Sequence, residues 1–261
     1  MSGLKTKVKK LPFVAAMLKR RYEKMFYANR RRNLFKGIYS SFSEAISAIT
    51  GNTTLGYNNP DSSAMYQKNM AAIREWDYPV LFWLDRTLSA NSHVFDYGGH
   101  VGFLYYTFSR YITFGDRAWT VFDVPEVVRQ GKAIAASCQE KHLHFTDSSK
   151  DGDGCDIMIV SGSQQYIDSP LVQILQQYER LPKHLIINMI PLHDRHEFVT
   201  LNHIGTAVCP YRVAHKESFI NSLTAAGWIL KDSWRNESKS CDIPFYDAYN
   251  GAVYHGFYFT R

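Results

Sequence analysis

Residues 93–102 read His-Val-Phe-Asp-Tyr-Gly-Gly-His-Val-Gly. A short apolar run ends in a carboxylate, Asp96, and leads into Gly98 and Gly99, with a helix expected from about Val101, beside Gly102. Glycines at such a place let the chain turn tightly and let a ligand approach main-chain N–H groups at the start of a helix. Glycine turns after strands are common, so the segment gains weight from the next two apolar runs. The run 118–123 ends in Asp123, 21 residues after Gly102, where an acid accepts both hydroxyls of an adenosine ribose. The run 143–146 is followed by Asp147. Three carboxylates at the carboxyl ends of successive strands fit one nucleoside lying across a sheet. The plainer reading is that they cap helices or face water in loops.

The spacing also sorts nucleotide chemistries. Nicotinamide dinucleotide sites usually carry Gly-x-Gly-x-x-Gly, whose second glycine admits the pyrophosphate. Here the order is Gly98-Gly99-His100-Val101-Gly102, with Asp96 two residues ahead of the first glycine. A carboxylate there repels a pyrophosphate and suits the ammonium of an amino-acid moiety. S-adenosylmethionine, cationic at sulfur and free of phosphate, is favoured on that ground. No Gly-Lys-Ser/Thr follows, which excludes a phosphate-loop NTPase. Cys138, Cys155, Cys209 and Cys241 are scattered without a Cys-x-x-Cys pair, so neither a metal site nor a disulfide framework is expected.

These residues need a sheet to hold them. The apolar runs 93–96, 118–123, 143–146, 156–161 and 184–190 alternate with helical segments 101–111, 125–138, 170–180 and, later, 216–226. That alternation predicts a parallel sheet covered on both faces. Residues 228–234 and 253–260 have no helical pattern between them and predict a terminal antiparallel pair. Upstream, residues 11–35 predict one helix, with Pro12 near its start and Val14, Met17, Leu18 and Met25 as its apolar positions. Residues 41–49 predict a short helix capped by Ser43, residues 51–63 a loop, and residues 64–90 helical structure broken before Pro79.

Of 261 residues, 21% are charged and 45% hydrophobic, the mix of a globular protein rather than a disordered one. No apolar stretch approaches the roughly 20 residues that span a bilayer, and the N-terminal pattern is not that of a secretory signal. The formal charge of +6 is uneven: residues 1–36 carry twelve Lys/Arg and one acid, Glu23. Such an arm, interleaved with Phe13, Met17 and Met25, suits an anionic membrane surface or another polyanion, and equally a solvated helix packed on the body. No recognition motif supports nucleic acid.

At these residues the sequence resembles class I S-adenosylmethionine-dependent methyltransferases. More narrowly, it resembles a methyltransferase-like family found among bacterial surface-polysaccharide genes. The resemblance begins at Lys36-Gly37-Ile38-Tyr39 and is carried by Phe95-Asp96-Tyr97-Gly98-Gly99 with Gly102, by Phe122-Asp123-Val124-Pro125, by Ser161-Gly162 with Gln165-Tyr166-Ile167, and by Ala226-Gly227-Trp228. It implies an α/β, Rossmann-like fold with a seven-stranded, mostly parallel sheet, an antiparallel C-terminal hairpin and an N-terminal helical cap. Residues 1–36 would be the arm, 37–79 the cap and 80–261 the methyltransferase domain. Asp96, Tyr97, Gly98, Gly99 and Gly102 would form the cofactor loop, with Asp96 near the methionine amino group. Asp123 would hold the ribose and Asp147 the adenine amine, while Ser161, Gly162, Gln165 and Tyr166 would line the sulfur side and substrate mouth. His100 departs from the small residue that relatives often have at its position.

Methyl transfer is an in-line displacement, so alignment of the nucleophile matters most, and a base helps when the acceptor is a hydroxyl. Residues 191–197 form the densest polar loop, and His193 is the expected base, oriented by Asp194, with His203 and His215 as fallbacks. The bland alternative is that these are loop histidines without a role. Arg195 suits a phosphate or carboxylate of the acceptor. Tyr57 and Trp76, among other aromatics ahead of the sheet, either stack on the ligand or pack the core. The family association implies O-methylation of a saccharide or small molecule in surface-glycan biosynthesis, in the cytoplasm or at the inner membrane face. Two alternatives remain: an adenosine-binding scaffold without catalysis, and a nicotinamide-dependent sugar-modifying enzyme. The last lacks its usual Tyr-x-x-x-Lys pair, because no Tyr has a Lys four residues on.

Overall fold

Buried runs too short for helices pair side by side in the computed structural model, which describes residues 12–29, 33–65 and 72–261. Strands β1 (Leu34–Tyr39), β2 (Val94–Tyr97), β3 (Trp119–Phe122), β4 (Leu143–Thr146), β5 (Ile157–Ser161), β6 (His184–His193), β7 (Phe198–His203), β8 (Val208–His215), β9 (Ile229–Asn236) and β10 (Val253–Thr260) form one sheet. Within it β4-β3-β2-β5-β6 run parallel, β10 lies antiparallel beside β6, and β9 antiparallel beside β10. These seven are the expected strands, terminal hairpin included. Successive residues serve opposite faces: Val94, Ile157 and Ile159 pack in one core with Val80 and Leu84, and Phe95, Met158 and Val160 in another with Leu223 and Trp228.

The sheet has ten strands rather than seven. The further three, β1, β7 and β8, are an antiparallel trio that joins the end of β6 through Leu192↔Ala214 and His193↔His215. This corrects two expectations. The helix expected over 11–35 is α1 (Pro12–Tyr27), and the chain then extends as β1, paired to β7 from Leu34↔His203. There Phe26 is buried against Val199, Leu201 and Val208, so the strand pairing is covered by the helix that precedes it. The polar loop expected over 191–197 is partly strand, because β6 continues to His193. Of the arm, residues 1–11 and 30–32 lie outside the described residues.

The remaining helices are α2 (Phe42–Ser47), α3 (Pro60–Ser63), α4 (Tyr78–Thr87), α5 (Phe103–Phe108), α6 (Pro125–Ser137), α7 (Leu171–Leu175) and α8 (Lys216–Ala225). The cap of α2 is Ser41 rather than Ser43: its Oγ accepts from Glu44 N at 3.1 Å, and the Glu44 carboxylate accepts from Ser40 N at 2.7 Å. The expected loop over 51–63 contains α3, whose cap Asn59 accepts from Ser62 N at 2.9 Å. No helix among the described residues is long and apolar enough to cross a membrane.

Candidate functional site

The parallel register brings the ends of β2, β3, β4 and β5 to one edge of the sheet, where a cavity of about 740 Å³ opens. That volume is in the range of small-molecule sites. Of the residues expected at the cofactor, Asp96, Tyr97, Gly98, Gly99, Asp123, Asp147, Ser161, Gly162, Gln165 and Tyr166 all line it. Gly102 does not. It stands behind the loop as the left-handed residue (φ +87°) that starts α5, where an added Cβ would press on Leu143 and Phe145.

The loop's shape follows from two close approaches. Gly98 is left-handed (φ +75°), donates its N–H to Phe122 O at 2.7 Å, and leaves no room for a Cβ beside the Ser163 side chain. The Ser163 hydroxyl in turn donates to Tyr97 O at 2.5 Å. A Cβ on Gly99 would collide with the carboxylate of Asp96, so the acid and the glycine occupy adjoining space.

Asp96 is 1% exposed, and neither of its oxygens has a hydrogen-bond partner among the described residues. Burial pushes its carboxyl up to about 7; the Trp119 indole N–H opposes this from outside hydrogen-bond geometry, and the neighbouring Asp123 adds to it. A buried carboxylate without donors on a cavity wall lacks a cationic or N–H-bearing partner. Asp123 is better served: its Oδ2 accepts from His100 N at 2.9 Å and its Oδ1 from Val124 N at 2.8 Å. Burial still pushes it up to about 6. Asp147 lies exposed at the rim.

After β5, the Ser161 hydroxyl accepts from Asn188 Nδ2 at 3.2 Å, and Gln165 Nε2 donates to Gly162 O at 2.8 Å. Gln165 Oε1 is buried without a hydrogen-bond partner among the described residues, a second acceptor on the same wall. Tyr166 donates its hydroxyl to Asn202 Oδ1 at 2.9 Å and meets the ring of Tyr57 edge-on at 5.1 Å.

The cap closes over this edge through His100. Its backbone is left-handed (φ +56°), and its ring Nε2 bonds to Ser62 O at 3.0 Å. Burial lowers its pKa to about 4, so the ring is neutral and donates. Asn58 Oδ1 accepts from Glu126 N at 2.9 Å, a second tie, from the segment around α3 to the first turn of α6. The cap contributes Tyr57, Asn58 and Met65 to the wall. Arg74, Asp77 and Lys239 also line it, and no motif pointed to them; Tyr57 and Trp76 were legible only as aromatics.

The expected base is set apart from the cavity. His193 is 3% exposed; its Nδ1 accepts from Arg195 N at 2.9 Å and His196 N at 3.0 Å, and its Nε2 donates to Asn250 O at 3.3 Å. Burial lowers its pKa, consistent with a neutral ring that fastens the β6–β7 turn. Asp194 is exposed, with Lys216 Nζ at 4.0 Å. His203 turns its Nδ1 to Gly205 N at 3.0 Å, and His215 caps α8 by accepting from Ser218 N at 3.3 Å. Neither fallback reaches the cavity wall, where His100 is the sole histidine among the described residues.

No protein-family profile and no curated protein sequence matches the chain. Solved structures do resemble it. A candidate sarcosine dimethylglycine methyltransferase from Galdieria sulphuraria superposes with a TM-score of 0.51 at 11% identity, over 77% of this chain and 98% of that one. The N-terminal domain of EvdMO1, in a crystal structure obtained in the presence of SAH and D-fucose, gives 0.51 at 9% identity, over 73% and 84%. The cyclase SpnF gives 0.50 at 13% identity, over 70% and 80%. At such identities the likeness is one of fold.

Proposed function

We propose that the protein is an S-adenosylmethionine-dependent methyltransferase that acts on an oxygen of a saccharide or other small molecule in surface-glycan biosynthesis. The observation that carries the reading is the buried, unpartnered carboxylate of Asp96 beside Gly99, on the wall of a cavity whose edge also bears Asp123 and Asp147. An amino group supplies the N–H donors that Asp96 lacks. In this reading Asp96 binds the methionine amino group, Asp123 the ribose hydroxyls and Asp147 the adenine amine. When bound, the cofactor supplies a methyl group on a positively charged sulfur. The chain's part is to hold the acceptor in line, to keep water out beneath the cap, and to fix Asp123 in one rotamer through its two backbone donors. Gln165 Oε1, without a partner among the described residues, would take an acceptor hydroxyl.

The EvdMO1 domain, alike in fold, was studied with SAH and a sugar, which accords with this reading as an analogy only. A second reading, an adenosine-binding scaffold without transfer, is favoured by the position of His193 and by the neutral, tied ring of His100. Calorimetric titration with S-adenosylmethionine and S-adenosylhomocysteine, against a nicotinamide dinucleotide, tests the cofactor. Micromolar binding of the first two, lost in Asp96→Ala and Asp123→Ala, is expected; binding of the dinucleotide alone would overturn it. Transfer of a labelled methyl group to cell-envelope extracts then separates enzyme from scaffold.

A further inference from the structure

Asp96 has a neighbour that the cavity does not touch. The parallel register sets Val94 opposite Trp119 and Asp96 opposite Val121. Alternate residues of a strand share a face, so Asp96 and Trp119 are diagonal neighbours on one face of the sheet, about 8 Å apart by strand geometry, a gap that an indole spans. Trp119 is 1% exposed and lies outside the cavity lining. Its ring is clamped edge-on between Tyr105, with centroids 5.7 Å apart, and Phe114, at 5.2 Å. Its Nε1 is buried without a hydrogen-bond partner among the described residues, as are both oxygens of Asp96. A buried donor beside a buried acceptor, each lacking a partner, costs free energy that one shared hydrogen bond would return.

The surroundings of the acid leave this donor prominent. After burial itself, Trp119 has the largest influence on the Asp96 carboxyl, and it favours the ionised form. Asp123, after β3, opposes ionisation, and the buried His100 of the glycine loop is neutral. The helix after the loop, α5, brings the phenols of Tyr105 and Tyr106, which burial keeps protonated. On α4, which packs on the same face, Asp85 and Arg86 are exposed. β5 meets Asp96 with Ile159.

We propose that Trp119 is the positioning residue of this site: its indole N–H takes one oxygen of the ionised Asp96 and leaves the other turned to the ammonium of the ligand. The protonated carboxyl gives its proton to water as the pair forms. Ionisation of Asp96, its pairing with Trp119 and capture of an amine are then one coupled event. The inference rests on the methyltransferase reading for the ammonium, and not for the pairing of Trp119 with Asp96. A hydrogen bond to a charged group changes an equilibrium roughly 10- to 100-fold, about twice the effect of a neutral one on the logarithmic scale.

The test follows the indole N–H signals of the full chain, without ligand, by NMR between about pH 5.5 and 8.5. The signal absent from Trp119→Phe should move downfield as Asp96 ionises, and Asp96→Asn should hold it still. Where Trp119→Phe does not fold, the signal is identified as the one whose titration Asp96→Asn abolishes. The indoles of Trp83 and Trp234, already bonded to Asp232 Oδ2 at 2.8 Å and Asn188 Oδ1 at 3.0 Å, are the controls. Calorimetry then reads binding. Trp119→Phe should weaken S-adenosylhomocysteine about tenfold near pH 6 and at most about twofold near pH 8.5, because a tenfold poorer hold on the carboxylate raises its pKa by about one unit. Methylthioadenosine, the same nucleoside without the amino acid, should show neither effect. A Trp119 signal that stays still across the range overturns the proposal. So does a loss of affinity in Trp119→Phe that is equal at both pH values, the mark of a ring that only fills the core. Failure of S-adenosylhomocysteine to bind the wild type defeats the methyltransferase reading instead, and the indole titration of the free protein still decides whether Trp119 holds Asp96.

Discussion

His100 donates its ring N–H to the carbonyl oxygen of Ser62 at 3.0 Å, so the glycine loop and the cap helix α3 are joined by the side chain of one loop residue. The same residue's backbone N–H donates to Asp123 at 2.9 Å. The departure from a small residue at this position therefore has a structural use: the residue that shapes the acid's environment also fastens the lid over it.

Replacing that ring tests the coupling. His100→Ala removes one neutral hydrogen bond and leaves the backbone donor to Asp123 in place, a loss of about 0.5–1.5 kcal/mol. S-adenosylhomocysteine affinity should fall about 2- to 12-fold, and hydrogen exchange across residues 56–63 should quicken. Unchanged exchange there would show that Asn58 and its bond to Glu126 hold the cap without His100.

Gly99→Ala places a methyl group where the Asp96 carboxylate lies. Gly99 is not among the left-handed glycines, so the effect is crowding rather than backbone strain. Overpacking costs about 1–3 kcal/mol, which predicts a 5- to 150-fold loss of cofactor affinity. Gly102→Ala, strained at φ +87° but away from the cavity, should lower the melting temperature more than it lowers affinity.

Protonation of Asp96 sets opposite trends for stability and binding. Its carboxyl titrates near 7 when folded and about 3.9 when unfolded. Between those values the native state holds more protons, so this contribution to stability is fully present below about pH 4 and is lost as the pH rises to 7. Asp123 and Asp77, each pushed up to about 6 by burial, act in the same direction. The free protein should melt higher at pH 5 than at pH 8, and Asp96→Asn should narrow the difference. Wild-type affinity for S-adenosylhomocysteine should instead rise through pH 7, as the carboxylate ionises, and Asp96→Asn should flatten that rise.

His193 divides structure from catalysis. His193→Ala leaves the N–H groups of Arg195 and His196 without their acceptor and Asn250 O without its donor. The melting temperature should drop by roughly 4–10 °C, with cofactor affinity within about twofold. A variant that melts normally yet loses all transfer would restore His193 as the base.

The outer face of α1 shows Phe13, Met17, Arg20 and Lys24 at three- and four-residue spacing, all exposed, with Arg21 and Met25 alongside. Sedimentation with vesicles containing phosphatidylserine should recover the protein, and neutral vesicles should not. Changing Arg20, Arg21 and Lys24 together to Glu should weaken vesicle binding at least about 100-fold, given about 1 kcal/mol per basic residue. Equal binding to both kinds of vesicle would remove the electrostatic basis of the arm.

The features legible in the chain alone are those that neighbouring residues encode. Asp96, Asp123 and Asp147 were legible because each ends a short apolar run, and parallel pairing places run ends at one edge of a sheet. The glycine loop was legible because turn chemistry is local. The trio β1, β7 and β8 was not: Thr200, Asn202 and His203 are buried polar residues, and Pro210 sits inside β8, so neither stretch shows an apolar strand pattern. Their burial comes from α1 and from the cavity wall, which are distant in sequence. His193 read as a polar loop residue until the pairing of β6 with β8 and β10 enclosed it. Arg74 and Lys239, 165 residues apart, line one cavity only because the segment before α4 and the β9–β10 connection both border it. Spacing along a chain encodes faces and turns; which distant faces share a cavity is decided when the sheet assembles and buries them.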